Sequence, residues 1–175
     1  MIQKNILLES SMEAMNNEIM AMLREWIVQT GRDALRTEYS DKLAYQLGWL
    51  EEEMGNLETA KQLYQRALTG QEKNLGKDHS STLTTVNNLA LLEKKMGNLE
   101  TAKQLYQRAL TGREKNLGKD HSSTLDTAYG LATVEYKLGE QATAVARMTG
   151  AKKGFAKKGM DDRVELCDAW LKHWQ

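Results

Sequence analysis

GNLETAKQLYQRALTGQEKNLGKDHSSTL, residues 55–83, returns at residues 97–125 as GNLETAKQLYQRALTGREKNLGKDHSSTL. The two stretches differ only at Gln71 against Arg113. The offset of 42 residues continues into a more divergent third copy: Gly55, Gly97 and Gly139 keep it, as do Ala60, Ala102 and Ala144, and Leu47, Leu89 and Leu131. A fixed period of this length marks an array in which each unit packs on its neighbours, because one unit cannot bury its own apolar face.

Within each unit the apolar spacing is helical. Leu89, Leu92 and Met96 recur at three and four residues, a stripe on a first helix. Leu99, Ala102, Leu105, Tyr106 and Ala109 make the stripe of a second. Gly97-Asn98 separates the two as a helix-ending glycine does. LGKDHSSTL ends the second helix at Gly118 and opens the next with Ser or Thr as N-cap. The spacing predicts antiparallel pairs over 41–54 with 57–75, 83–96 with 99–117, and 125–138 with 140–158. DDRVELCDAWLKHWQ puts Val164, Cys167, Trp170, Leu171 and Trp174 on one face behind an acidic first turn. It reads as a helix over 162–174 that closes the open apolar end of the array. Upstream, Thr30-Gly31-Arg32 echoes Thr111-Gly112-Arg113. Residues 1–38 read either as a degraded repeat or cap, or as one long amphipathic helix from about Ser11 to Arg36. The expected fold is therefore an all-α solenoid of stacked helix hairpins. It forms one domain over 1–175, with repeats at 41–76, 83–118 and 125–159 and a capping helix at 161–175.

Composition agrees. Proline is absent, where average usage of about 5% would supply roughly nine, and helix interiors reject proline. The 24 basic and 24 acidic residues cancel, which argues against nucleic acid or an anionic membrane as partner. Cys167 is the single cysteine, so no internal disulfide forms and a reducing, cytoplasmic compartment is expected. NILLES is broken by Glu9, and no apolar run has the length of a signal peptide core or a membrane span.

The residues that invite chemistry have simpler readings. His79 and His121 each follow an aspartate, but they are equivalent positions in different repeats and read as loop-structuring residues. Cys167 lies on an apolar face and reads as a buried, inert thiol. The lysines of GAKKGFAKKG sit at a helix end, where cations offset the dipole. Glu51-Glu52-Glu53 reads as a solvated helix face. Gly70, Gly112 and Gly154 lie inside second helices and read as points of close helix approach. No constellation fills the geometric roles of a catalytic site, so neither an enzyme nor a cofactor or metal is expected.

Two helices per unit, with Leu89-Ala90, Gly97, Ala102, Tyr106 and Ala109 at these spacings, resemble a tetratricopeptide repeat. The 42-residue period with NNLALL, LYQRAL, REKNLG and DHSSTL is similar to the kinesin light chain subclass. RALTGREKNLG resembles the arrays of fungal and bacterial proteins that join a nucleotide-binding switch domain to such repeats. The likeness covers residues 41–157 well and 1–38 poorly. Three departures stand out. Ser80 and Ser122 stand where the family usually has proline, and Glu51, Glu93 and Glu135 replace a common aromatic. No Gly-x4-Gly-Lys-Ser/Thr occurs, so the chain reads as a free-standing short member or a fragment.

The resemblance implies that the first helix of each pair lines a concave groove. Residues at spacings of four and three would then face it: Tyr45 and Trp49, with Glu52; Asn87, Leu91 and Lys94; and Tyr129, Thr133 and Tyr136. Lys95 and Lys137 lie beside them. Aromatics supply contact area, asparagine can bond a peptide backbone, and lysines attract acidic groups. The implied function is a scaffold that holds a protein or peptide segment, acidic groups suiting its lysines. The alternative is a structural or sensor piece of a larger nucleotide-binding switch protein. Such a piece would associate through its array ends, as a monomer or with weak end-to-end contact. Trp170 and Trp174 discriminate, since buried tryptophans close the array and exposed ones invite assembly.

Overall fold

The computed structural model describes residue 22 and residues 39–174. The degraded repeat or long helix read over residues 1–38 lies outside the described residues. By compactness the chain divides after Ser40, so all but the first two residues of the helices that follow belong to the second unit.

Seven helices follow one another among the described residues: α1 (Tyr39–Glu53), α2 (Leu57–Asn74), α3 (Ser80–Lys95), α4 (Leu99–Leu117), α5 (Ser122–Lys137), α6 (Gln141–Lys157) and α7 (Asp161–His173). They contain the three expected pairs and the terminal helix, and no strand is present among these residues. None of these helices is long and apolar enough to cross a membrane.

Helices α3 and α5 begin earlier than the apolar spacing predicts. The N-cap is a histidine rather than Ser or Thr. His79 and His121 have extended backbones, and each Nδ1 accepts the amide of Ser81 or Ser123 at 3.2 Å. An imidazole nitrogen thus does the work of a capping hydroxyl, and the Ser-Ser pair joins the first turn. At the other end of α3, Gly97 takes φ +84°. Asn98 N–H then reaches Glu93 O at 2.9 Å and Gly97 N–H reaches Lys94 O at 3.2 Å. Only glycine enters this left-handed conformation without strain, and it lets the chain turn at once into α4.

The acidic run departs from expectation. Glu51 and Glu52 are buried, and only Glu53 is exposed. Each buried carboxylate survives because it is matched. Glu51 accepts Asn56 Nδ2 at 2.7 Å, and its equivalent Glu93 accepts Asn98 Nδ2 at 2.6 Å and Lys61 at 2.9 Å. Glu135 takes a two-pronged grip from Arg147, both contacts at 2.9 Å. These acids tie the first helix of a pair to its turn, to its second helix or, through Lys61, to the second helix of the pair before it.

Ala60, Ala102 and Ala144 are fully buried at the helix contacts. Ala102→Phe should overpack this contact and cost about 1–3 kcal/mol, read as a lower urea midpoint; an unchanged midpoint would place the alanine outside the contact. Gly112 is a point of close approach, since a Cβ there would sit 2.6 Å from Leu83 Cδ2. Gly154 meets Leu125 in the same way one repeat later.

The core is shared between units. Tyr64 and Ala60 of α2 join Leu89 and Leu92 of α3, and Tyr106 and Leu110 of α4 join Leu131 and Val134 of α5. Met148 and Phe155 of α6 join Cys167 and Trp174 at the terminal helix. Each second helix therefore packs against the helix that follows it as well as its own partner. Burial pushes the Cys167 thiol up to about 11, which keeps it protonated and unreactive at neutral pH.

Candidate functional site

The first helices α1, α3 and α5 are linked side chain to side chain along one face. Between α1 and α3, Asn88 Nδ2 donates to Tyr45 Oη at 2.9 Å and Lys95 Nζ donates to Glu52 at 2.7 Å. Between α3 and α5, Thr127 Oγ1 donates to Asn87 Oδ1 at 3.0 Å and Lys94 Nζ donates to Thr133 Oγ1 at 3.2 Å. Helix α7 continues the series: Trp170 Nε1 donates to Tyr129 Oη at 2.7 Å, and Trp174 stacks on Tyr136 with ring centres 4.5 Å apart. Each contact joins residues about one repeat apart, so the ladder follows directly from the period of the sequence.

The residues expected on this face have different fates. Trp49 is 52% exposed, a large apolar surface facing solvent. Tyr45 is half-buried, bonded to Asn88 and tilted against Tyr64 at 5.8 Å. Asn87 and Leu91 are half-buried. Asn87 uses its carbonyl oxygen within the protein, and its Nδ2 donors have no partner among the described residues. Thr133 is buried, donating to Gly130 O at 2.7 Å and accepting from Lys94. It positions Lys94 instead of meeting solvent. Tyr129 and Tyr136 are covered in part by the tryptophans of α7 and its C-cap.

Electrostatics on the face are uneven. Glu52 is saturated by Lys95 and by Tyr64 Oη at 3.0 Å. Lys94 forms no ion pair among the described residues; its one partner is the neutral Thr133 hydroxyl. Burial, with Lys137 and Lys95 nearby, holds its ammonium below the usual lysine range. Lys94 and Lys95 end α3 and Lys137 ends α5, so the two helix C-termini contribute negative partial charge there. That partial charge does not replace a carboxylate at Lys94. The residues that the period alone could not reveal are Asn88, which locks Tyr45, and Arg113, which reaches Asn87 at 3.4 Å. No group of three or more His, Cys, Asp or Glu side chains lies close enough to hold a metal ion among the described residues.

The family model described as tetratricopeptide repeat matches residues 40–115 and 81–149. No curated protein sequence matches the chain. Among solved structures, BtubC (BKLC) from P. vanneervenii superposes with a TM-score of 0.63 at 17% identity, covering 93% of this chain and 71% of that one. A Podosopora anserina protein described as having kinesin light chain nearly identical TPR-like repeats superposes with a TM-score of 0.69 at 18% identity, covering 94% and 89%. A single-substitution form of that protein gives the same TM-score and identity, covering 94% and 88%. At such identities the likeness is one of fold.

Proposed function

The chain belongs to the tetratricopeptide repeat family, and from that premise we propose that it is an interaction scaffold whose first-helix face holds an extended, acid-bearing segment of a partner protein. The fold generally serves protein–protein interaction, and catalysis has no part in this reading. Lys94 carries the proposal. It is a half-buried cation with no carboxylate partner among the described residues, crowded by Lys137 and Lys95, one helix over from the exposed Trp49. An arriving acidic side chain supplies the missing counter-charge, and Trp49 supplies a rigid apolar anchor. The amide donors of Asn87, on the same helix as Lys94, bond a peptide carbonyl. Leu91 adds apolar contact, Tyr45, Tyr129 and Tyr136 edge the surface, and Thr133 holds Lys94.

The test is a peptide array probed with the full chain, followed by titration of the best peptide. Trp49→Ala should lose about 2 kcal/mol or more of binding, mostly through a faster off-rate. Lys94→Glu should slow association, and the gap should narrow as salt rises, because the long-range attraction that steers an acidic segment is screened over about 8–10 Å. Should both variants bind like the parent while Trp170→Ala abolishes association, the face is not the binding surface and association through the array end takes its place.

A further inference from the structure

The one difference between the two near-identical repeats has a physical consequence. Position 71 is a glutamine whose Oε1 accepts Thr85 Oγ1 at 2.7 Å. The third copy has Phe155 there, fully buried. The fold therefore accepts a neutral amide or an aromatic ring at this place and does not need a cation. Arg113 puts one there, with only 7% of the residue exposed.

That guanidinium has no counter-ion among the described residues. Its Nη1 donates to Ser123 O at 2.9 Å and Thr127 Oγ1 at 2.6 Å, both neutral. The contacts to Asn87 and, from Nη2, to Thr84 are long, 3.4 Å each. Nε has no partner among these residues. Asp126, the carboxylate that acts on Arg113, pairs with Arg163 at 3.4 Å, and Asp78 pairs with Lys115 at 2.9 Å. Burial pulls the arginine below its ordinary range, the mark of a charge short of compensation.

Arg113 lines a cleft of about 250 Å³ together with Ser80 and Thr84 of α3, Asn116 of α4, and His121 and Ser123 at the start of α5. The first turn of α5 adds the partial positive charge of a helix N-terminus. The volume suits a small ion with a few waters and excludes a peptide. We propose that this cleft, between the N-terminal ends of α3 and α5 and the C-terminal end of α4, binds an oxyanion of the phosphate class on Arg113. The cleft lies toward the opposite end of α3 from Lys94, which is roughly 15 Å further along the helix from Thr84, and it meets the peptide-binding face only where Arg113 reaches Asn87 at 3.4 Å.

The full chain is titrated with sodium phosphate and, at matched ionic strength, with sodium chloride, followed by ¹H–¹⁵N NMR. Phosphate should give saturable shifts at Arg113 Nε–H and at the amides of Asn116 and Ser123, and chloride should not. Arg113→Gln makes the position identical to that of the preceding repeat, which folds with glutamine there, and it should weaken phosphate binding about tenfold or more. Arg113→Lys, which keeps the charge but loses the planar fork, should fall between. O-phosphoserine distinguishes the source: tighter binding than inorganic phosphate assigns the site to a phosphate ester, equal binding to the free ion. The absence of saturable shifts up to about 10 mM phosphate, or binding by Arg113→Gln equal to the parent, overturns the proposal.

Discussion

Trp174→Ala should destabilise the C-terminal end of the array by about 3–5 kcal/mol. Trp174 is 2% exposed, stacks flat on Tyr136 of α5 and lies tilted against Trp170 at 5.6 Å. Its backbone carbonyl also accepts Gln141 Nε2 of α6 at 2.7 Å. Truncation removes the ring that fastens the terminal helix to the last pair and leaves a cavity against Met148 and Phe155, members of the same cluster. In a stacked array each unit feels only its neighbours, so the loss should be local. Hydrogen exchange should quicken first in α7 and α6, while α3 keeps its protection. Uniform quickening throughout, or a loss below about 1 kcal/mol, would show that α7 does not cap the array.

Arg147→Met should cost about 3 kcal/mol. Arg147 grips the carboxylate of Glu135, whose side chain is 2% exposed while the arginine's is 25% exposed. The less buried partner is the informative one to remove, because the carboxylate left behind is the buried charge. Adding Glu135→Leu removes that stranded charge, so the double variant should regain most of the stability. Urea unfolding of the parent, both single variants and the double variant closes the cycle. If Arg147→Met unfolds at the parental midpoint, the pair contributes nothing and the burial of Glu135 needs another cause. The same logic explains why Glu51 and Glu93, at the equivalent position, each have a bonded amide from the following turn.

The helix frame was legible because it rests on local rules. Positive-φ glycines at Gly55, Gly97 and Gly139 end helices in any context. The alanines of the second helices and the leucines of the first are apolar at helical spacing, and the verbatim repeat forces neighbouring units to pack alike. The terminal helix was legible for the same reason: a face of Val164, Cys167, Trp170 and Trp174 has nowhere to go but the open end of the stack. The early starts of α3 and α5 were not, since a histidine cap looks like any loop histidine until its Nδ1 is seen against an amide.

What the sequence determined by itself is the repeat, its hairpins, its order and its closing helix, because period, glycine and apolar stripe act within one or two turns of the chain. The state of each polar group on those helices depends instead on how the units stack. Glu51 and Glu52 look like solvent-facing charges until the next turn and the next repeat supply Asn56 and Lys95. Tyr129 and Tyr136 look like open groove residues until Trp170 and Trp174 are laid on them. Lys94 and Arg113 look like ordinary surface cations until their hydrogen-bond partners prove neutral. The reason is physical: helix formation is settled by neighbours three and four positions away, whereas burial and charge compensation depend on groups from the next turn to about 40 residues distant that hairpin closure and stacking bring within reach.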